Sequence, residues 1–248
     1  KAVSSGTGAD ILFVSNDGAS SASITVSKDV AITSLGKVRF YTTSSKGSIT
    51  LSSGANVTSV DDVVDVGTGS LNLGSNINVT GAGGEIILNE LAINLTNAVS
   101  LKASGTGSTI QIGKISGSSG SVEGSQNLTL EAVGAITTGN VGQNSALSTV
   151  TITNSGGVNS TNLNAANVVL TDTTGNINFF GNTVISNSLT TAAKAYGAAF
   201  NGTTVLAGSP VFLNTGATSF AGNTSLTSGA TITGNSTSTV SLDGTIVS

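Results

Sequence analysis

Short runs in which apolar and polar residues alternate recur along the whole chain: SITV at 23–26, SITL at 48–51, EIIL at 85–88, TIQI at 109–112 and NVVL at 167–170. Period-two alternation rich in β-branched residues, punctuated by Gly, Asn and Ser, predicts short strands joined by tight turns. Helix-type spacing is nearly absent. The best helical candidate is TTAAKAYGAAF at 190–200, and Gly197 weakens it.

The spacing of the runs predicts how the strands are arranged. The apolar-x-apolar pairs Ile49/Leu51, Leu71/Leu73, Ile93/Leu95, Ile110/Ile112, Leu128/Leu130, Val150/Ile152 and Val168/Leu170 follow one another at nearly regular steps. A recurrence near twenty residues, with further runs such as those around Val57, Val79, Leu88 and Leu101 between the pairs, matches one coil of a parallel β-helix. One coil holds too few apolar residues to bury a core alone; stacking places each Val or Ile over its counterpart. The expectation is an all-β fold, a right-handed parallel β-helix (β-solenoid) with coils of about 20 residues. It would form a single continuous unit over 1–248, of roughly a dozen coils and about 60 Å at ~4.8 Å per coil. Ile49, Leu71, Ile93, Ile110, Leu128, Val150 and Val168 are expected to point inward in one stack. An array of immunoglobulin-like sandwiches is the competing architecture, but it calls for large core aromatics and Asn-Gly or Asp-Gly hairpins. Here there are 2 Tyr and 7 Phe, and five of the Phe lie beyond residue 178.

Composition sharpens this picture. Only 8 % of residues are charged, against roughly 25 % in an ordinary soluble domain. The surface is therefore wetted by Ser, Thr, Asn and Gly. A disordered linker would share that polarity but not the β-branched runs. Five of the eight Lys and Arg fall in the first 46 residues, whereas beyond Glu131 only Asp172, Lys194 and Asp243 are charged. Residues 1–46 thus read as a cap or a junction to a neighbour. A net charge of −4 leaves no basic footprint for nucleic acid. No apolar stretch is long enough to span a membrane. The absence of Cys is compatible with export, and the opening KAVSSGTGAD, without Met, predicts a segment of something longer.

The runs GSITLSSGANVT (47–58), GSLNLGSNINVTGAGG (69–84) and, most specifically, the stretch 175–223 with NINF, LTTAAKAYGAAFNG and FLNTGATSF resemble the repetitive passages of very large bacterial exoproteins. They are similar to those of the filamentous-haemagglutinin-like, strand-repeat adhesins. The resemblance implies right-handed parallel β-helices at the cell surface. No secretion-domain motif or haemagglutination signature accompanies it, so it points to architecture and location rather than to a ligand.

Candidate chemistry is sparse. GTGADILF (6–13) resembles one calcium-binding nonapeptide repeat with Asp10 as its carboxylate, but a second copy to complete the site is missing. DDVVDV (61–66) gathers Asp61, Asp62 and Asp65; three carboxylates in so short a run suit calcium, or the acid and base of a polysaccharide-cleaving β-helix. Asp61 and Asp65 would share one strand face, with Asp62 opposite, and Glu85 and Glu90 are the nearest further carboxylates. The favoured readings are a Gly-rich corner ahead of the strand ILFV for the segment with Asp10 and solvated turn carboxylates for Asp61, Asp62 and Asp65, with no ordered calcium and no other cofactor. Without His, no Ser-His-Asp arrangement is available. GAGG (81–84) lacks the Lys-Ser/Thr of a phosphate loop. The N-x-S/T triplets at Asn56, Asn78, Asn94 and Asn127 are expected by chance in so Asn- and Thr-rich a chain.

The function predicted is a non-enzymatic, extracellular or cell-surface rod, part of a bacterial fibre, surface layer or adhesin stalk, that associates with itself end to end or within a longer chain. One alternative is an adhesin module binding glycan or a surface protein through a side face, for which Tyr41, Tyr196 and Phe200 are the hints. The other is a glycan-cleaving β-helix using Asp61, Asp62 and Asp65.

Overall fold

A computed structural model of the protein describes residues 2–15, 22–113, 121–227, 231–234 and 239–247. These residues form 29 strands and no helix. Every strand pairing is parallel, and each strand pairs with the equivalent strand one coil away. The chain is thus a parallel β-solenoid of about 10 coils of roughly 22 residues. At ~4.8 Å per coil its length is about 48 Å, shorter than the expected length of about 60 Å.

The strands anticipated from alternation are present: Ser23–Val26, Ser48–Leu51, Glu85–Leu88 and Thr109–Ile112 have those bounds, and NVVL ends the long strand Val158–Leu170. Three strands per coil give three faces. On the first, Val3, Ile32, Val57, Ile77, Leu101, Leu130, Ile152 and Leu170 stack in register. On the second, Ile11, Val38, Val63, Ile86, Ile110, Ile136, Val158 and Ile177 do so. On the third, Ile24, Ile49, Leu71, Ile93, Val122, Val141 and Leu163 form the column.

The single stack expected for seven residues is corrected by these registers. All seven are buried. Ile49, Leu71 and Ile93 lie over one another on the third face, Ile110 belongs to the second, and Leu128, Val150 and Val168 form a column on the first. The shorter steps on either side of Ile110 cross from face to face. True coil lengths also vary: the step from Leu101 to its partner Leu130 is much longer than the step from Ile152 to its partner Leu170. Corners absorb the difference, because insertions there leave the stacked positions untouched.

The helical candidate at 190–200 is also corrected. The segment is the end of strand Thr183–Thr191, a corner, and strand Ala198–Phe200. Tyr196 anchors the corner: its hydroxyl donates to the Leu170 carbonyl at 2.8 Å and accepts from the Ala192 N–H at 3.1 Å. Burial pushes the phenol pKa up.

Candidate functional site

The acidic residues are the strongest chemical signal in the sequence. Asp65 sits in an inward position of the second face, in register with Phe40, and is 1 % exposed. Its carboxylate turns towards the next corner, where Oδ1 accepts from the N–H groups of Asn89 (3.0 Å) and Glu90 (3.2 Å) and Oδ2 from that of Leu91 (2.8 Å). Three converging N–H groups favour the anion, but burial outweighs them and raises the Asp65 pKa to about 6.

Asp62 performs a similar task one step earlier. Its Oδ1 accepts from the Glu85 N–H at 3.0 Å and its Oδ2 pairs with Lys37 Nζ at 2.6 Å. That hydrogen bond and charge raise the Lys37 pKa. Asp10 is equivalent on an earlier coil: it accepts from the Lys37 N–H at 2.9 Å and faces Arg39 at 3.4 Å. Glu90 accepts from the Gly67 N–H, Glu85 from the Thr109 hydroxyl, and Glu123 from the N–H groups of Asn144 and Ser145. Asp61 lies exposed at its corner. The carboxylates are therefore spread over successive corners, and most of them bond to a neighbouring coil. Among the described residues no group of three acidic, His or Cys side chains is placed to hold a metal ion. The role of these carboxylates as acceptors for a neighbouring coil is not legible in the spacing DDVVDV; the recurrence of an acidic residue just before a strand was the available signal.

The aromatic hints do not share a surface. Tyr41 is partly exposed on the outer side of the second face, whereas Tyr196 and Phe200 are in the core. A recess of about 330 Å³ on the outer second face is lined by Asn176, Asn178, Ala199, Ser219 and the 195–197 corner, with no charged group.

The two ends of the solenoid have a different character. Among the described residues, strands Ala2–Ser4, Ile11–Ser15 and Ser23–Val26 each pair on one side alone, with the coil that follows them. A cup of about 250 Å³ opens among Val3, Phe13, Ile24, Val26, Val30 and Ile32. At the opposite end, strands Thr233–Gly234, Val240–Leu242 and Ile246–Val247 likewise pair on one side alone among the described residues. Leu242 and Ile246 occupy inward register positions, over Phe220 and Thr224, yet are 45 % and 39 % exposed. The cup, drawn from residues of all three edge strands and the corner at Val30, has no local signature in the sequence.

Compared with models of protein families, with curated proteins and with solved structures, the chain matches none. No helix among the described residues is long and apolar enough to cross a membrane.

Proposed function

We propose that the protein is a structural rod whose coils stack end to end with further coils of the same kind, in the same polypeptide or in another copy, to build a fibre or stalk. The observation that carries this reading is the pair of open ends. Among the described residues each offers three unpaired strand edges in the same face order, together with inward-register apolar side chains left partly exposed. Unpaired edges are templates for further pairing, and same-polarity stacking would continue the parallel registers of all three faces. The scarcity of charge along the axis removes a source of repulsion between stacked units.

An extracellular or cell-surface setting is part of the proposal. It is supported by an outer surface of Asn, Ser and Thr, by the absence of Cys, and by the segments that resemble filamentous-haemagglutinin-like adhesins. A non-enzymatic role is supported by the use of Asp10, Asp62 and Asp65 as backbone acceptors.

Light scattering and electron microscopy of the purified chain test the stacking. Rods that lengthen with concentration are expected, and the double substitution Leu242→Lys, Ile246→Asp should stop them. A chain that stays monomeric at high concentration, with end-coil amides protected from hydrogen exchange, would sink the idea.

A further inference from the structure

The outward side chains of the three faces are not alike. Outward positions on the first and third faces carry mostly Ser, Thr and Asn, such as Thr33, Thr58 and Asn78 on the first and Thr50, Asn72 and Asn94 on the third. The second face is different over its first four coils. One outward column runs Leu12, Arg39, Val64, Ile87; beside it runs Val14, Tyr41, Val66. Leu12, Val14 and Tyr41 are 56 %, 39 % and 38 % exposed. The column turns polar at Gln111 and Thr137 on the next two coils. Parallel sheets with apolar residues on both sides are ordinarily covered on both sides.

The patch complements itself. Its columns stand about 6.8 Å apart and its rows about 4.8 Å apart. A two-fold axis parallel to the solenoid axis, between two such faces packed ~10 Å apart, sets each column against the other column of a second copy at the same height. Leu12 then meets Val14, Val64 meets Val66, and the Arg39 guanidinium lies over the Tyr41 ring, twice by symmetry, as a cation–π contact. Arg39 keeps Asp10, 3.4 Å away in its own chain, as counter-charge, so no lone charge is buried.

We propose that this face is a lateral docking surface for a second copy of the chain, which pairs rods side by side and in parallel. A patch of this size gives weak association between single units, strengthened when stacking lengthens both rods. The proposal does not depend on end-to-end stacking, since the surfaces are separate.

The experiment uses the full chain carrying Leu242→Lys and Ile246→Asp, which removes end contacts from the readout. Sedimentation at graded concentrations should show a dimer, and Val64→Asp with Arg39→Glu should weaken it by roughly tenfold or more while circular dichroism and melting stay as in the parent. The chain has no Cys, so single cysteines report proximity. A mixture of Val64→Cys and Val66→Cys chains treated with a short bis-maleimide should give mixed cross-links well above those of Val64→Cys alone or of Asn72→Cys on the third face. If a residue-64 variant misfolds, Arg39→Cys mixed with Tyr41→Cys makes the same measurement one coil away. Monomer at every concentration, a dimer indifferent to these substitutions, cross-links equal to the Asn72→Cys control, or capture of vesicles or glycan by this face without dimerisation would each overturn the proposal.

Discussion

The first five coils and the last five differ in how far carboxylates help to close their corners. Early coils are long, as the steps from Phe13 to its partner Phe40 and from Phe40 to its partner Asp65 show. Their corners are closed by carboxylates that accept backbone N–H groups from a neighbouring coil, as Asp10, Asp62, Asp65 and Glu90 do. Late coils are shorter, and Phe179, Phe200 and Phe220 follow one another at closer steps. Here glycines stack on glycines, as they also do earlier at Gly69 over Gly47 and Gly105 over Gly81. A Cβ on Gly202 would collide with the Gly181 carbonyl oxygen, and one on Gly222 would collide with that of Gly202. Asn–Asn bonds are more frequent here, with Asn178 donating to Asn159 and Asn187 to Asn167, beside the one ion pair of the described late coils, Lys194 with Asp172. A long corner leaves N–H groups without a ladder partner and needs a side chain to meet them. Where backbone meets backbone as closely as at Gly105 or Gly202, no side chain fits.

The core differs in parallel. Phe179, Phe200 and Phe220 stack with ring centroids 4.8 and 4.7 Å apart, and Phe212 meets Phe200 and Phe220 edge-on. Among the described residues the early coils have one such contact, Phe13 with Phe40. Phe200→Ala should therefore be the most damaging change, at about 3–5 kcal/mol. In a solenoid this loss is expected to fall on the late coils first. Hydrogen exchange along the chain checks it, and early and late coils opening together would blur the division.

The second effect belongs to the early half. Because burial raises the Asp65 pKa to about 6 from 3.8, the folded chain holds this proton more tightly than the unfolded one. The stability so gained is fully present below the unfolded pKa and is lost as pH rises through the folded value. Stability should thus increase as pH falls from about 7 to about 4, by up to roughly 3 kcal/mol. Urea titrations of the parent and Asp65→Asn chains isolate this component, and parallel pH profiles for the two would contradict it.

A smaller effect compares glycines. Gly202→Ala should cost about 1–3 kcal/mol, because its Cβ meets backbone that cannot move alone. Gly83→Ala in the early half has open space around it, and only its φ of +70° opposes the change, so a cost of about 1 kcal/mol is expected. Thermal melts of both variants check the order; an equal loss would mean that the late corners can spread.

Much of this molecule was legible in the sequence, and more so for strands than for corners. SITV, SITL, EIIL and TIQI became strands with those bounds because alternation fixes which side chains turn inward. The segment 190–200 misled because alanines favour a helix when read locally, whereas Tyr196, Ala198 and Phe200 are buried by neighbouring coils. The carboxylates misled in another way. Asp62 and Asp65 are close together in sequence, but their partners are the amides of Glu85 and of Asn89 to Leu91, a full coil further along the chain.

The sequence by itself determined the strand content, the repeat near twenty residues and the sparsely charged exterior, since each depends on residue type and local period. The tertiary structure alone decided the face to which each run belongs, because crossing a corner and completing a coil can take similar lengths of chain. It alone set Asp65 in register with Phe40, and it alone gathered Leu12, Val14, Arg39, Tyr41, Val64, Val66 and Ile87, drawn from successive coils, onto one outer surface. Register across coils is fixed by how corners of unequal length pack, and that packing has no local signature.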